Sequence, residues 1–205
     1  MRDDDPDPLP SLWPLTGADA LRDELLAAYA EPSRGHHGTG HLREVLERLD
    51  ELAAAGTPFD RTTVSLAAWF HDAVYDGERD AEERSAVWAE AALPMHLDAA
   101  TVAEVVRLVR LTEDHRPDPE DTSGCALSDA DLAILAAPPE RYDAYVAGVR
   151  AEYAHLPDDV FVAGRTDVLR DLASSPQLFR TRHGRAHWEE PARANMAREL
   201  AGLVG

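Results

Sequence analysis

Residues 61–76 read RTTVSLAAWFHDAVYD, and this stretch decides the class of fold. Asp60 precedes it as a helix cap, and Val64, Leu66, Ala67, Ala68, Trp69, Phe70 and Val74 leave it almost no polar face. A surface helix buries one stripe, whereas a helix that is apolar on nearly all sides runs through a core. The expectation is a central helix in a helical protein, with His71 and Asp72 in the middle of it. An ionised carboxylate in such a place is costly unless it is paired or bound to a cation.

Working outward, residues 41–56, HLREVLERLDELAAAG, put Leu42, Val45, Leu46, Leu49 and Leu52 on one stripe between a cap at Thr39 and a stop at Gly56. Residues 17–30 read as an earlier helix ended by Pro32. Downstream, helices are expected from Asp80 to Pro94, from Asp98, from Ser128 after a long loop over 113–126, after the Pro138 and Pro139 pair, after Asp158, and from Glu189 to Leu203. No stretch alternates apolar and polar residues for long, so no strand is expected. The fold class is all-α, a single irregular helical bundle.

The chain has 205 residues, which suits one domain of ordinary size. Residues 1–12, MRDDDPDPLPSL, are acidic and proline-rich and are expected to form a disordered leader, with the domain occupying 13–205. That start lacks the basic and apolar stretches of a secretory signal, and no apolar window is long enough to span a bilayer. With the lone Cys125 unable to form an internal disulfide, the expectation is a cytoplasmic protein. The formal net charge of −19 would repel a phosphate backbone, so nucleic acid is not expected as a partner, nor is a membrane. All 20 basic residues are arginine; without lysine, a side-chain Schiff base is excluded.

Three further groups surround the His71 and Asp72 pair. His36, His37 and His41 cluster at the start of the second helix, with His37 and His41 spaced to share a face. Asp129 and Asp131 stand among apolar residues in LSDADLAIL, residues 127–135. Each has a plainer reading by itself: with Ser128 as cap, Asp131 would complete a capping box and Asp129 would offset the helix dipole. Together they suggest one metal centre. Imidazoles and carboxylates without thiolate suit manganese, iron, cobalt, nickel, magnesium or zinc.

This order of residues, with the segments YAEPSRGHHGTGHL, AAWFHDAVYD followed by EERSA, LSDADLAIL, VRAEY, AGRTDVL and EEPARANMAREL, resembles the predicted phosphohydrolases of the HD superfamily, whose signature is H...HD...D. The resemblance runs from Trp13 to Leu200. It implies an HD-type domain with one divalent metal ion held by His41, His71, Asp72 and Asp131, with Asp129 as the alternate to Asp131. It also implies hydrolysis of a phosphate ester or anhydride of a small molecule, possibly a nucleotide, by attack of metal-bound water.

HHGTGH is similar to a segment of cyclic nucleotide phosphodiesterases in which the earlier histidine protonates the leaving oxygen. That makes His37 a candidate general acid, with a pocket-lining role as the alternative. Many HD hydrolases carry a glutamate four residues after the HD histidine; here Tyr75 stands there, and Asp76, Glu82 and Glu83 are the candidate bases. Arg34 and Arg150 are candidates for phosphate contacts. His115 is another substrate contact or a ligand to a second metal. Two rival readings remain: a non-catalytic, metal-containing binding or regulatory module, favoured by Tyr75, and a di-iron oxygenase, which needs more histidines than His96 and His115 supply.

Overall fold

The computed structural model describes residues 8–78 and 80–204, and it is all-helical, with no strand among them. Ten α-helices follow in order: α1 Asp19–Tyr29, α2 Thr39–Ala54, α3 Arg61–Phe70, α4 Ala81–Ala92, α5 Ala99–Leu111, α6 Thr122–Leu132, α7 Pro139–Glu152, α8 Asp158–Ser174, α9 Arg182–His187 and α10 Glu189–Val204. The apolar α3 lies at the centre, packed by α2, α4, α5 and α6. Leu66, Ala67, Ala68, Trp69 and Phe70 are fully buried, as the all-round apolar pattern requires. Each large side chain withdrawn from water in this way contributes about 1.5–3 kcal/mol.

Aspartates punctuate the bundle. Asp60 accepts from Thr63 N at 2.8 Å, Asp98 from Ala100 N and Thr101 N, and Asp121 from Gly124 N at 2.9 Å. Each occupies amide groups that a helix start would leave unpaired. Gly56, at φ 81°, turns the chain away after α2 in the left-handed conformation that glycine tolerates.

The structure departs from the sequence reading in four places. The helix carrying the HD pair stops at Phe70, so His71 and Asp72 stand just past its end rather than in its middle. The reason is tertiary: Asp72 N donates to Tyr29 Oη, Arg34 Nη1 and Nη2 donate to the carbonyls of Asp72 and Ala73, and Val74 N donates to Ser85 Oγ. These partners replace the helical ones. Helix α6 begins at Thr122, capped by Asp121, so Ser128 is not a cap and Asp131 sits in the last turn instead of the first. Helix α9, capped by Thr181, is an element the sequence reading lacked. Finally, the expected leader runs too far. Leu9–Leu12 form a 3₁₀ turn with Leu9 fully buried, so these residues belong to the fold; residues 1–7 of that expected leader lie outside the described residues.

Candidate metal centre

Three elements bring the four expected ligands together. His41 comes from the first turn of α2, His71 and Asp72 from the turn that ends α3, and Asp131 from the last turn of α6. His41 Nε2 is 2.9 Å from Asp131 Oδ1 and 3.3 Å from His71 Nε2. Asp131 Oδ1 is 3.6 Å from His71 Nε2. His41, His71 and Asp131 thus form a buried group with ligand atoms all within 4.8 Å of one another, and this group could hold a metal ion. Asp72 stands beside it, with Oδ2 at 3.1 Å from His71 Nε2 and 3.6 Å from His41 Nε2.

The donor chemistry fits a cation. His71 Nδ1 lies 2.7 Å from the carbonyl oxygen of Ala68, which can only accept, so Nδ1 carries a proton and Nε2 faces the cluster. Two ring nitrogens meet at 3.3 Å, and Asp72 Oδ2 is buried without a hydrogen-bond partner. A buried carboxylate oxygen left in that state is a large cost unless positive charge meets it. Burial opposes charge on His71, but Asp72 and Asp131 outweigh it and hold its pKa well above the ordinary value. Burial likewise works against the charged forms of Asp72 and Asp131, yet the facing imidazoles keep both carboxyls below their usual range. The cluster is built for net positive charge at its centre. Among the described residues there is no second such group of three close ligand atoms.

Beside the centre stands a histidine pair on a different support. His37 Nδ1 donates to Glu152 Oε2 at 2.8 Å, while Glu152 Oε1 accepts from the backbone N of His36 and of His37 at 2.7 and 2.8 Å. The His37 ring stacks on Tyr75 with centroids 4.0 Å apart. Burial disfavours the His37 cation, but Asp72 and Glu152 together raise its pKa. His36 is pushed the other way, by burial and then by the neighbouring His41 and His37, and packs its ring edge against Tyr145. The loop reaches α7 because two glycines meet: a Cβ on Gly35 would lie 2.3 Å from Gly148 O, and one on Gly148 would lie 2.7 Å from Gly35 O.

Several expected site residues are engaged elsewhere. Asp129 is not a ligand: its carboxylate accepts from Arg180 N and Thr181 N at 2.7 Å each and ties down the segment before α9. Arg34 is not free for phosphate, because its guanidinium, 2% exposed, is spent on the carbonyls of His37, Asp72 and Ala73. Arg150 points to Asp158 and the Tyr153 carbonyl and covers Phe161, joining α7 to α8. Of the candidate bases, Asp76 is held by Arg84 and Glu83 by Arg110, both at the surface. Glu82 alone reaches the wall of the cavity. His115 is brought to the site, with Nε2 at 3.5 Å from Asp131 Oδ2, from a left-handed backbone conformation at φ 53°. Its burial lowers its pKa, leaving a neutral ring.

The centre opens into a cavity of about 850 Å³ that also takes in His37, Glu82, His115 and one face of α7 and α8. Glu152 is the main residue the sequence reading overlooked. It lies seven positions after Tyr145, on the α7 face that carries Gly148 and Val149, and that helical spacing was the available signal. Arg116 and Arg165 on the cavity wall were also overlooked. The chain matches no known family, no curated protein and no solved structure.

Proposed function

We propose that this chain is a metal-dependent phosphohydrolase of the HD type that acts on a phosphate ester or anhydride of a small molecule. The observation that carries the reading is the convergence of His41, His71, Asp72 and Asp131 at the edge of an open cavity, where Asp72 Oδ2 is buried without a hydrogen bond, 3.1 Å from His71 Nε2. On this reading Asp72 is the fourth ligand. A divalent cation held there would polarise a phosphoryl oxygen and lower the pKa of bound water.

The chain's own groups supply the rest. On this reading His37, oriented by Glu152 and with its pKa raised, gives its Nε2 proton to the leaving oxygen, and the Tyr75 stack fixes the plane of its ring. His115 stays neutral and can donate or accept on the side of Asp131. Glu82 is the one acidic candidate base that lines the cavity. The resemblance to HD phosphohydrolases agrees with this division of labour. A binding module without turnover is the second reading, and Tyr75 at the place of the usual glutamate favours it.

The test is elemental analysis of purified protein, then a screen of phosphate mono- and diesters and anhydrides with the metal found. Turnover that needs the metal and vanishes in His71→Ala supports the proposal. Turnover retained in metal-free protein overturns it, and binding without turnover favours the second reading.

A further inference from the structure

The metal centre accounts for only part of its cavity. Helices α7 and α8 and the turn between them line much of the remainder with Val149, Leu156, Val160, Phe161, Val168 and Leu172. On α8 the cavity-facing positions recur three and four residues apart, so they form one stripe, while Thr166 and Leu169 turn inward and are buried. Val160 and Val168 are 50% and 51% exposed, in a chain with only four such exposed large apolar side chains among the described residues. Half of that exposed apolar inventory therefore faces one cavity. Apolar surface gathered in a concave site is characteristic of a ligand-binding wall.

The stripe of Val160, Phe161, Gly164, Val168 and Leu172 offers no hydrogen-bonding side chain, whereas Glu113, Asp114, Asp167 and Asp171 stand beside it on the cavity wall. Arg165 is held by the buried Glu199 at 2.7 and 3.1 Å, whereas Arg116 meets Asp171 in an exposed pair at 3.2 Å. A sugar or a base laid along that stripe would lose water without finding partners on it, which opposes binding of such groups there. Gly164, in the middle of the stripe, adds room: a Cβ there would meet nothing within 4 Å.

We infer that the substrate carries a hydrocarbon or aromatic group beside its phosphate, and that α7 and α8 hold this group in the same cavity as the metal centre. The inference rests on the phosphohydrolase reading and specifies its substrate class, the phosphate esters of apolar alcohols. The phosphate meets the His and Asp end, and the alcohol part displaces water from the stripe.

The test is calorimetry on the full chain loaded with Mn²⁺, using methyl-, butyl- and octylphosphonate, which are not hydrolysed, and a nucleoside 5′-monophosphate. Each methylene that the wall covers should tighten binding roughly fourfold, and the nucleotide should bind more weakly than octylphosphonate. Val168→Asp and Val160→Ser, both at half-exposed positions and each checked by thermal melting, should flatten the dependence on chain length. Turnover of the matching alkyl phosphates is read in parallel. Chain-length dependence without turnover would support the wall and overturn hydrolysis. Equal affinity for all three phosphonates, or preference for the nucleotide, would overturn the inference whether or not turnover is seen. So would equal affinity together with a dimer that Val168→Asp dissociates, since the stripe would then be a subunit contact.

Discussion

Glu152 and His37, 115 positions apart in the chain, form a hydrogen-bonded pair 2.8 Å long in which a single carboxylate also anchors the backbone of His36 and His37. The carboxylate orients the ring and, with Asp72, raises its pKa. Glu152→Gln keeps an oxygen for the backbone amides but withdraws the charge. Activity requiring a protonated His37 falls as pH rises through its pKa, so the variant's falling limb should move to lower pH. Turnover should drop by about 10² while metal content stays unchanged. A variant with normal rate and pH profile would remove His37 from the proton transfer.

Asp129 and Asp131 are separated by one residue and should behave in opposite ways. Asp131→Ala should release the metal, measured by elemental analysis. Asp129→Ala should keep the metal but strand the amides of Arg180 and Thr181, at a cost of about 2–4 kcal/mol in denaturant unfolding.

Chelation should lower the melting temperature and added metal should restore it, because a ligand bound only by the folded state stabilises that state. In Asp72→Ala the melting temperature should no longer respond to metal. A full response there would show that Asp72 is not a ligand.

Glu189 accepts from the amides of Leu178 and Phe179 and pairs with Arg193. Partial burial opposes its charge, but these partners prevail and hold its pKa below the ordinary 4.5. A carboxyl with a depressed folded pKa stabilises the protein above its unfolded value and loses that contribution as pH falls through the folded value. The stability gap between the native chain and Glu189→Gln should therefore be full at pH 6 and close as the solution is acidified below 4.5.

Cys125 is buried, and burial, followed by the nearby Asp129 and Asp121, pushes its thiol up to about 11. At pH 8 the thiolate fraction is on the order of 10⁻³. Iodoacetamide should leave the folded chain unlabelled over a time in which the denatured chain reacts fully, as read by mass spectrometry.

The helical class and the central place of α3 were legible because an unbroken apolar run admits few other readings. His41, His71 and Asp131 were legible because polar side chains among apolar ones need a reason to be there. The end of α3 was not, since it depends on Arg34 and Tyr29, which are distant in sequence and supply partners only in the folded chain. The start of α6 was misread because Ser128 looks like a cap, whereas Asp121 takes that role. Arg34, just before the histidine cluster, and Arg150, within VRAEY, read as phosphate contacts from their charge and place in the sequence; a guanidinium serves carbonyl oxygens equally well, and here it does.

The contact of Gly35 with Gly148 divides the site into parts with different freedom to change. Two backbones cross there with no room for a side chain on either, so the histidine loop cannot drift relative to α7. The α8 stripe has no such lock, and its valines and its open Gly164 can be exchanged at the surface without disturbing the crossing. Substitutions on α8 can therefore reshape the cavity wall while the glycine crossing keeps the histidine loop where it is.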